Sequence, residues 1–299
     1  MSPQSIFAMN KMRDKSLYGI GSLVLATALF GTVGILTRLI GTGFGNFFQA
    51  AARNSIILLI IGGYILLKGG WKKINKPDYK WFFTMSLPGI ITLVGLFVAF
   101  NNLAIGTTLF IFYASQTVIS YIIAAVFFKE KLNTIKIASL AFCFLGLVGM
   151  YYLHFGGSPK YVLFALAAGL GVAAWNVFSK KVSSKYSLAQ VLLIDCIISV
   201  PICLILAGAF NEAISLPSLT LPWVAVSLYG FIAIATGLLS IYGFKHLQAQ
   251  IASVIMLLEP VFGIILSWII FKETLSLPML GGGAFILLGV ALPNLRKTK

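Results

Sequence analysis

The chain of 299 residues holds only seven carboxylates. One of them, Glu259, is set into the apolar run from Gln250 to Leu275, QIASVIMLLEPVFGIILSWIIFKETL. A bilayer core of about 30 Å is crossed by about 20 helical residues. If the run enters the membrane near Gln250, Glu259 lies about nine residues in, close to mid-depth at about 1.5 Å per residue. An ionisable group at that depth is costly and marks a functional position by default. It can bind and release a proton as water access changes sides, which is the chemistry that proton coupling requires. The structural alternative is a hydrogen-bonded acid that steadies a kink. Pro260, directly behind it, has no N–H and leaves the carbonyl of Met256 without its helical partner. Inside a membrane that is tolerated only against protein or a water-filled cavity. Pro88 and Pro201 are further candidate kinks within apolar runs.

Arg53 stands about seven residues into another apolar run, roughly 10 Å below the surface by helical rise. Its charge needs a partner, a wet cavity or an escape to the interface. Asp195 falls 142 residues later. The two suit either a structural ion pair or a site for a solute carboxylate. Arg38, near the end of the first run, is expected to snorkel. Asn101, Asn102, Tyr113, Gln116, Trp175, Asn176, Ser240 and Tyr242 are candidates to line a cavity as a group, because small-molecule sites are mostly apolar with a few placed polar groups. Any one of them serves equally well as interhelical glue. Cys143, Cys196 and Cys203 lie in apolar runs without CxxC spacing, and His154 and His246 stand alone at run ends. Neither a metal site nor a cofactor is expected. The chain has no clustered acid, base and nucleophile for an enzyme and no G-x-x-x-x-G-K-[ST] loop for nucleoside triphosphate.

Ten spans are expected to position these groups: Leu17–Ile40, Asn46–Leu67, Trp81–Leu103, Thr107–Phe128, Ile135–Leu153, Tyr161–Ser179, Leu188–Phe210, Pro222–Phe244, Ile251–Phe271 and Leu277–Leu292. Composition agrees, with 59% hydrophobic residues and 10% charged, against about 25% charged in a soluble domain. Mean hydropathy is +0.99. The net charge of +15 does not indicate nucleic-acid binding, because the basic residues lie between apolar runs. Eighteen of the 22 fall on one side: Lys11, Arg13 and Lys15, then the groups at Lys68–Lys80, Lys129–Lys136 and Lys180–Lys185, Lys245, and Arg296, Lys297 and Lys299. The other side holds Lys160 and Lys272. The positive-inside rule then puts both termini in the cytoplasm of a multi-pass protein of the inner (cytoplasmic) membrane.

A shift of 143 residues aligns 106–149 with 249–292, with ten identities in 44 positions. They include Phe128-Lys129-Glu130 and Leu132 against Phe271-Lys272-Glu273 and Leu275, and Gly146 against Gly289. Gln116 is the counterpart of Glu259. Five spans per half force the second copy to enter upside down, and inverted repeats typify secondary transporters with a site at mid-membrane. The organisation expected is a tail at 1–16, one repeat at 17–153, a second at 154–292 and a tail at 293–299.

At this point the sequence resembles the drug/metabolite transporter superfamily, in its ten-span EamA-type members. The resemblance rests on Leu258-Glu259-Pro260-Val261, the two Phe-Lys-Glu-x-Leu endings, Gly146 and Gly289, Phe30-Gly31, Arg53 and Ala174-Trp175. Asn176 departs from it, standing where such proteins usually carry a small residue. The resemblance implies an all-α membrane protein of two inverted five-helix repeats. Its implied activity is secondary transport of small metabolites such as amino acids, most often export, by alternating access. Multidrug, sugar or nucleotide-derivative transport on the same fold, and a non-transporting scaffold, stand as alternatives. The partners expected are a solute, the lipid bilayer, protons and, as an open option, a second copy in a homodimer.

Overall fold

The computed structural model describes residues 3–128, 134–153, 159–247, 255–256 and 258–295. Among them no strand occurs. The helices are α1 (Pro3–Gly31), α2 (Val33–Ile40), α3 (Asn46–Lys68), α4 (Tyr79–Asn102), α5 (Ile105–Phe128), α6 (Thr134–Leu153), α7 (Pro159–Ser183), α8 (Leu188–Ala209), α9 (Leu221–His246), α10 (Leu258–Phe271) and α11 (Leu277–Leu295). Seven are long and apolar enough to cross a membrane, counting α1 and α2 as one from Leu17 to Ile40. Three shorter apolar helices, Ile137–Gly146, Leu258–Phe271 and Leu277–Leu292, stand at the remaining expected spans. The chain is an all-α membrane protein, as its composition required.

Helix bounds follow local chemistry. Ser187 caps α8 by accepting from the Gln190 N–H, and α9 opens Leu221-Pro222, with proline where no N–H donor is missed. The expected start of span nine at Gln250–Ile251, the Lys129-Glu130-Lys131-Leu132 ending, His154 and the basic residues from Arg296 onward lie outside the described residues.

The helices of the first half pack mainly on those of the second: α4 and α5 on α7, α3 on α8, α1 and α2 on α9, α1 on α10, and α6 on α11. Glycines set two of these approaches. A methyl group built at Gly31 would lie 2.8 Å from Phe262 Cβ and 2.9 Å from the Gly263 nitrogen, so the α1–α2 junction presses against α10 just beyond Glu259. In the α6–α11 pair Gly146 fits against Gly282 and Ile286, while Gly289 fits against Ser139 and Cys143. The main apolar core joins α2, α3 and α4 to α8 and α9 through Phe48, Phe97, Phe100 and Tyr229.

Candidate functional site

Polar side chains gather in three layers along this bundle. At one end Lys185 Nζ bonds Asp78 Oδ1 at 2.7 Å and Tyr186 donates to Asp78 Oδ2 at 2.9 Å. Gln190 holds the Lys72 backbone from both sides, accepting its N–H at 3.1 Å and donating to its carbonyl at 2.5 Å. The segment between α3 and α4 is thereby tied to the α7–α8 turn.

At the other end the arginine expected to snorkel does something else. Arg38 of α2 forms an ion pair with Glu273, just past α10, the two side chains being 20% and 15% exposed. The same guanidinium donates to the carbonyls of Phe100, at 2.7 Å, and Leu103, at 2.5 Å. It also covers the Phe271 ring at 5.2 Å. Glu273 in turn accepts the Ile105 N–H at 3.1 Å. One clamp thus ties the ends of α2, α4, α5 and α10. The end of α4 offers carbonyls there because a helix leaves its last ones unbonded, and the start of α5 offers an N–H for the converse reason. Nearby, Glu212 accepts the N–H groups of Phe47 at 3.2 Å and Phe48 at 2.8 Å. A carboxylate is well placed at the positive start of α3.

Between these ends lies the polar centre. Tyr113 of α5 donates to Glu259 Oε2 of α10 at 2.6 Å. Arg53 of α3 gives Nη1 to Asn54 Oδ1 at 2.7 Å and lies 4.8 Å from the Tyr229 ring centroid. Asn54 passes the connection to α8, donating to Ser199 Oγ at 2.8 Å. Asp195 of α8 accepts from Trp175 Nε1 of α7 at 3.4 Å. The direct Arg53–Asp195 pair is not formed. Among the described residues the ion pairs within 4.0 Å are Arg38–Glu273 and Lys185–Asp78. The Tyr229 ring also stands edge-on to Phe97 at 5.9 Å.

This centre is under-bonded. Gln49 Oε1 and Nε2 near the start of α3, Arg53 Nε one turn on, and Ser240 Oγ toward the end of α9 are buried without a protein hydrogen-bond partner, while Ser86 lies in reach of the Asp195 carboxylate. A buried polar atom left so costs about 1–3 kcal/mol, and each is a place where water or a solute can be bonded.

Of the expected site residues, the fold brings Glu259 to Tyr113 and Asp195 to Trp175, and leaves Arg53 beside Asn54. Gln116, on α5 one turn from Tyr113, is partly buried. Asn101, Asn176 and Tyr242 are exposed on the described chain. Tyr242 stacks on His246 at 4.4 Å, near the end of α9. Polarity marked these three, but a side chain's type does not fix which side of a helix it occupies. Pro88 and Pro201 lie inside α4 and α8, and Pro260 near the start of α10. Sequence reasoning passed over Gln49, Asn54, Ser199 and Tyr229. The signal available was the spacing of Gln49 and Arg53, four residues apart and so on one helical face.

Known proteins share this architecture. Residues 159–295 match the model of the EamA-like transporter family. An uncharacterized transporter of Archaeoglobus fulgidus is 24% identical over 284 residues, covering 92% of this chain and 96% of its own. The uncharacterized transporter YxxF of Bacillus subtilis is 23% identical over 288 residues, covering 92% and 89%. A crystal structure, 20% identical, superposes with a TM-score of 0.59 over 95% of this chain and 97% of its own, a likeness of fold. The class is that of multi-pass membrane transporters. Within it, residues 159–295 match the EamA-like transporter family, and the relatives aligned over nearly the whole chain are named transporters.

Proposed function

We propose that the protein moves small metabolites such as amino acids across the cytoplasmic membrane, outward, by alternating access, with Glu259 coupling the movement to protons. The observation that carries this reading is the Tyr113–Glu259 hydrogen bond, with Arg53 Nε left without a protein partner on the neighbouring α3. A carboxylate held by one phenol can exchange that partner for a proton or for a cationic group of the solute. A cation, Arg53 on α3, and an acid, Asp195 on the packed α8, stand without a direct ion pair between them. An amphoteric solute suits that arrangement.

The two halves act as inverted repeats, 17–153 and 154–292. Two features of the packing support this. The contacts of α4 with α7 and of α1 and α2 with α9 exchange when the halves are exchanged. The α6–α11 seat is reciprocal as well: Gly146 meets 282 and 286, and Gly289 meets 139 and 143, which are the same positions displaced by 143. The basic residues put the Asp78 end in the cytoplasm and the Glu273 end outside. The Arg38–Glu273 clamp is then the outer closure, broken and remade in each cycle.

Uptake or counterflow of labelled amino acids, sugars, nucleosides and cationic drugs into proteoliposomes, with and without a pH gradient, tests the reading. Glu259→Gln is expected to fold and to lose pH-gradient-driven flux. Proton-driven flux that survives the substitution removes the coupling role.

A further inference from the structure

Among the described residues the most completely unpartnered buried group is Gln49, in the first turn of α3, which is 0% exposed and has neither amide atom bonded to protein. Gln49, Arg53 and Ile56 recur at four and three residues, so they share one face of α3. That face is turned to α9: a methyl group built at Gly230 would lie 2.9 Å from Ile56 Cγ2 and 3.6 Å from the Arg53 carbonyl oxygen. Helical side chains lean toward the helix N-terminus, which brings the Arg53 guanidinium toward Gln49. Asn54 occupies Nη1, while Nε meets no protein acceptor. The free edge, Nε with Nη2, is a fork that takes a carboxylate through two parallel bonds.

We infer that Gln49 and Arg53 form the subsite for the carboxylate of the transported solute, with the guanidinium edge and the Gln49 Nε2 donating to its oxygens. The inference rests on the transport reading above and names the anionic half of its substrate. Tyr229, whose face Arg53 covers, holds the guanidinium in place without neutralising it. Selectivity follows from desolvation. A solute with a carboxylate satisfies both groups, whereas its decarboxylated amine enters and leaves an amide and a cation unpaired. Sites built to bond a substrate group reject analogues that lack it far more strongly than apolar pockets do.

The test uses the purified full chain in proteoliposomes with phenylalanine, leucine, threonine and lysine, each beside its decarboxylated amine. Wild type is expected to take up one or more of the amino acids and to exclude the matched amine. Gln49→Met removes no protein hydrogen bond, so its thermal midpoint should equal or exceed that of wild type, while amino-acid affinity falls roughly tenfold or more. Arg53→Lys keeps the charge, loses the fork and should show the same selective loss. Uptake of the amine as readily as the amino acid by wild type, or retained discrimination in Gln49→Met, overturns the subsite but leaves transport standing. A Gln49→Met protein that loses stability and uptake together overturns it in favour of a packing role. Absence of flux for every compound, drugs and sugars included, overturns the transport reading and the subsite with it.

Discussion

Two arginines of neighbouring spans are treated in opposite ways by this fold. Arg38 is saturated, with one carboxylate, two helix-end carbonyls and an aromatic face. Arg53, one helix on, has a single amide oxygen and an aromatic face. Intramembrane cations are expensive in either setting, so the difference reflects what each is for. A cation with all its directions filled holds elements together and has nothing to offer a ligand. A cation with an unfilled edge costs stability that only a ligand or water returns. The clamp and the centre are thus distinguished by hydrogen-bond completeness rather than by residue type.

Breaking the clamp should have the largest effect. Removing one member of this partly buried pair strands the other, at a cost of about 2 kcal/mol, below the range for a fully buried pair. Arg38→Ala and Glu273→Ala should each lower the thermal midpoint in detergent. Combined in a double-mutant cycle they should show a coupling of about 2 kcal/mol. Charge exchange, with Arg38→Glu and Glu273→Arg together, should fail to restore stability. Position 38 also donates to carbonyls and position 273 also accepts an N–H, and swapped charges reverse both. Full recovery in the exchanged protein sinks the clamp and leaves an ordinary ion pair.

Asn54 sharpens the comparison from the other side, because it joins the two unlike environments of Arg53 and Ser199. Asn54→Ala should cost about 1–2 kcal/mol for two neutral or singly charged bonds, less than either clamp substitution. Asn54→Asp should fold at least as well yet depress amino-acid uptake, since it supplies a resident carboxylate beside Arg53. Unchanged uptake in Asn54→Asp argues that Arg53 does not meet an anionic group.

The span plan was legible because crossing a bilayer is a requirement of length and apolarity alone. Asn46, Leu188 and Leu277 open α3, α8 and α11 as expected, and the other described ends move by at most four residues, except that α1 starts at Pro3, fourteen residues ahead of Leu17. The break at Thr32, which divides span one into α1 and α2, was not expected. It reflects a tertiary approach of Gly31 to Phe262 that no local pattern carries. Glu259 was legible as a mid-run acid, but Tyr113 as its donor was not, since helices 146 residues apart must first be packed. The same holds for Arg38, whose partner Glu273 had been visible only as part of a repeated Phe-Lys-Glu ending. Tyr229 was invisible for a different reason: a tyrosine in an apolar run is ordinary, and only the guanidinium above its ring sets it apart.

The smallest expected effect concerns the pair that symmetry suggested. Arg53 and Asp195 fall at near-equivalent places in the two halves, one residue off the 143-residue register. That offset sets Asp195 about 100° round its helix from the place equivalent to that of Arg53, on helices of 3.6 residues per turn, and the two engage Trp175 and Asn54 instead of each other. Groups without direct contact add nearly independently, to within about 0.5 kcal/mol. A cycle of Arg53→Ala and Asp195→Ala, measured as thermal stability beside the Arg38–Glu273 cycle, should therefore show coupling no larger than that. Coupling as large as the clamp's would mean that the two charges do meet, that the centre is as complete as the outer end, and that its open edge is not available to a solute.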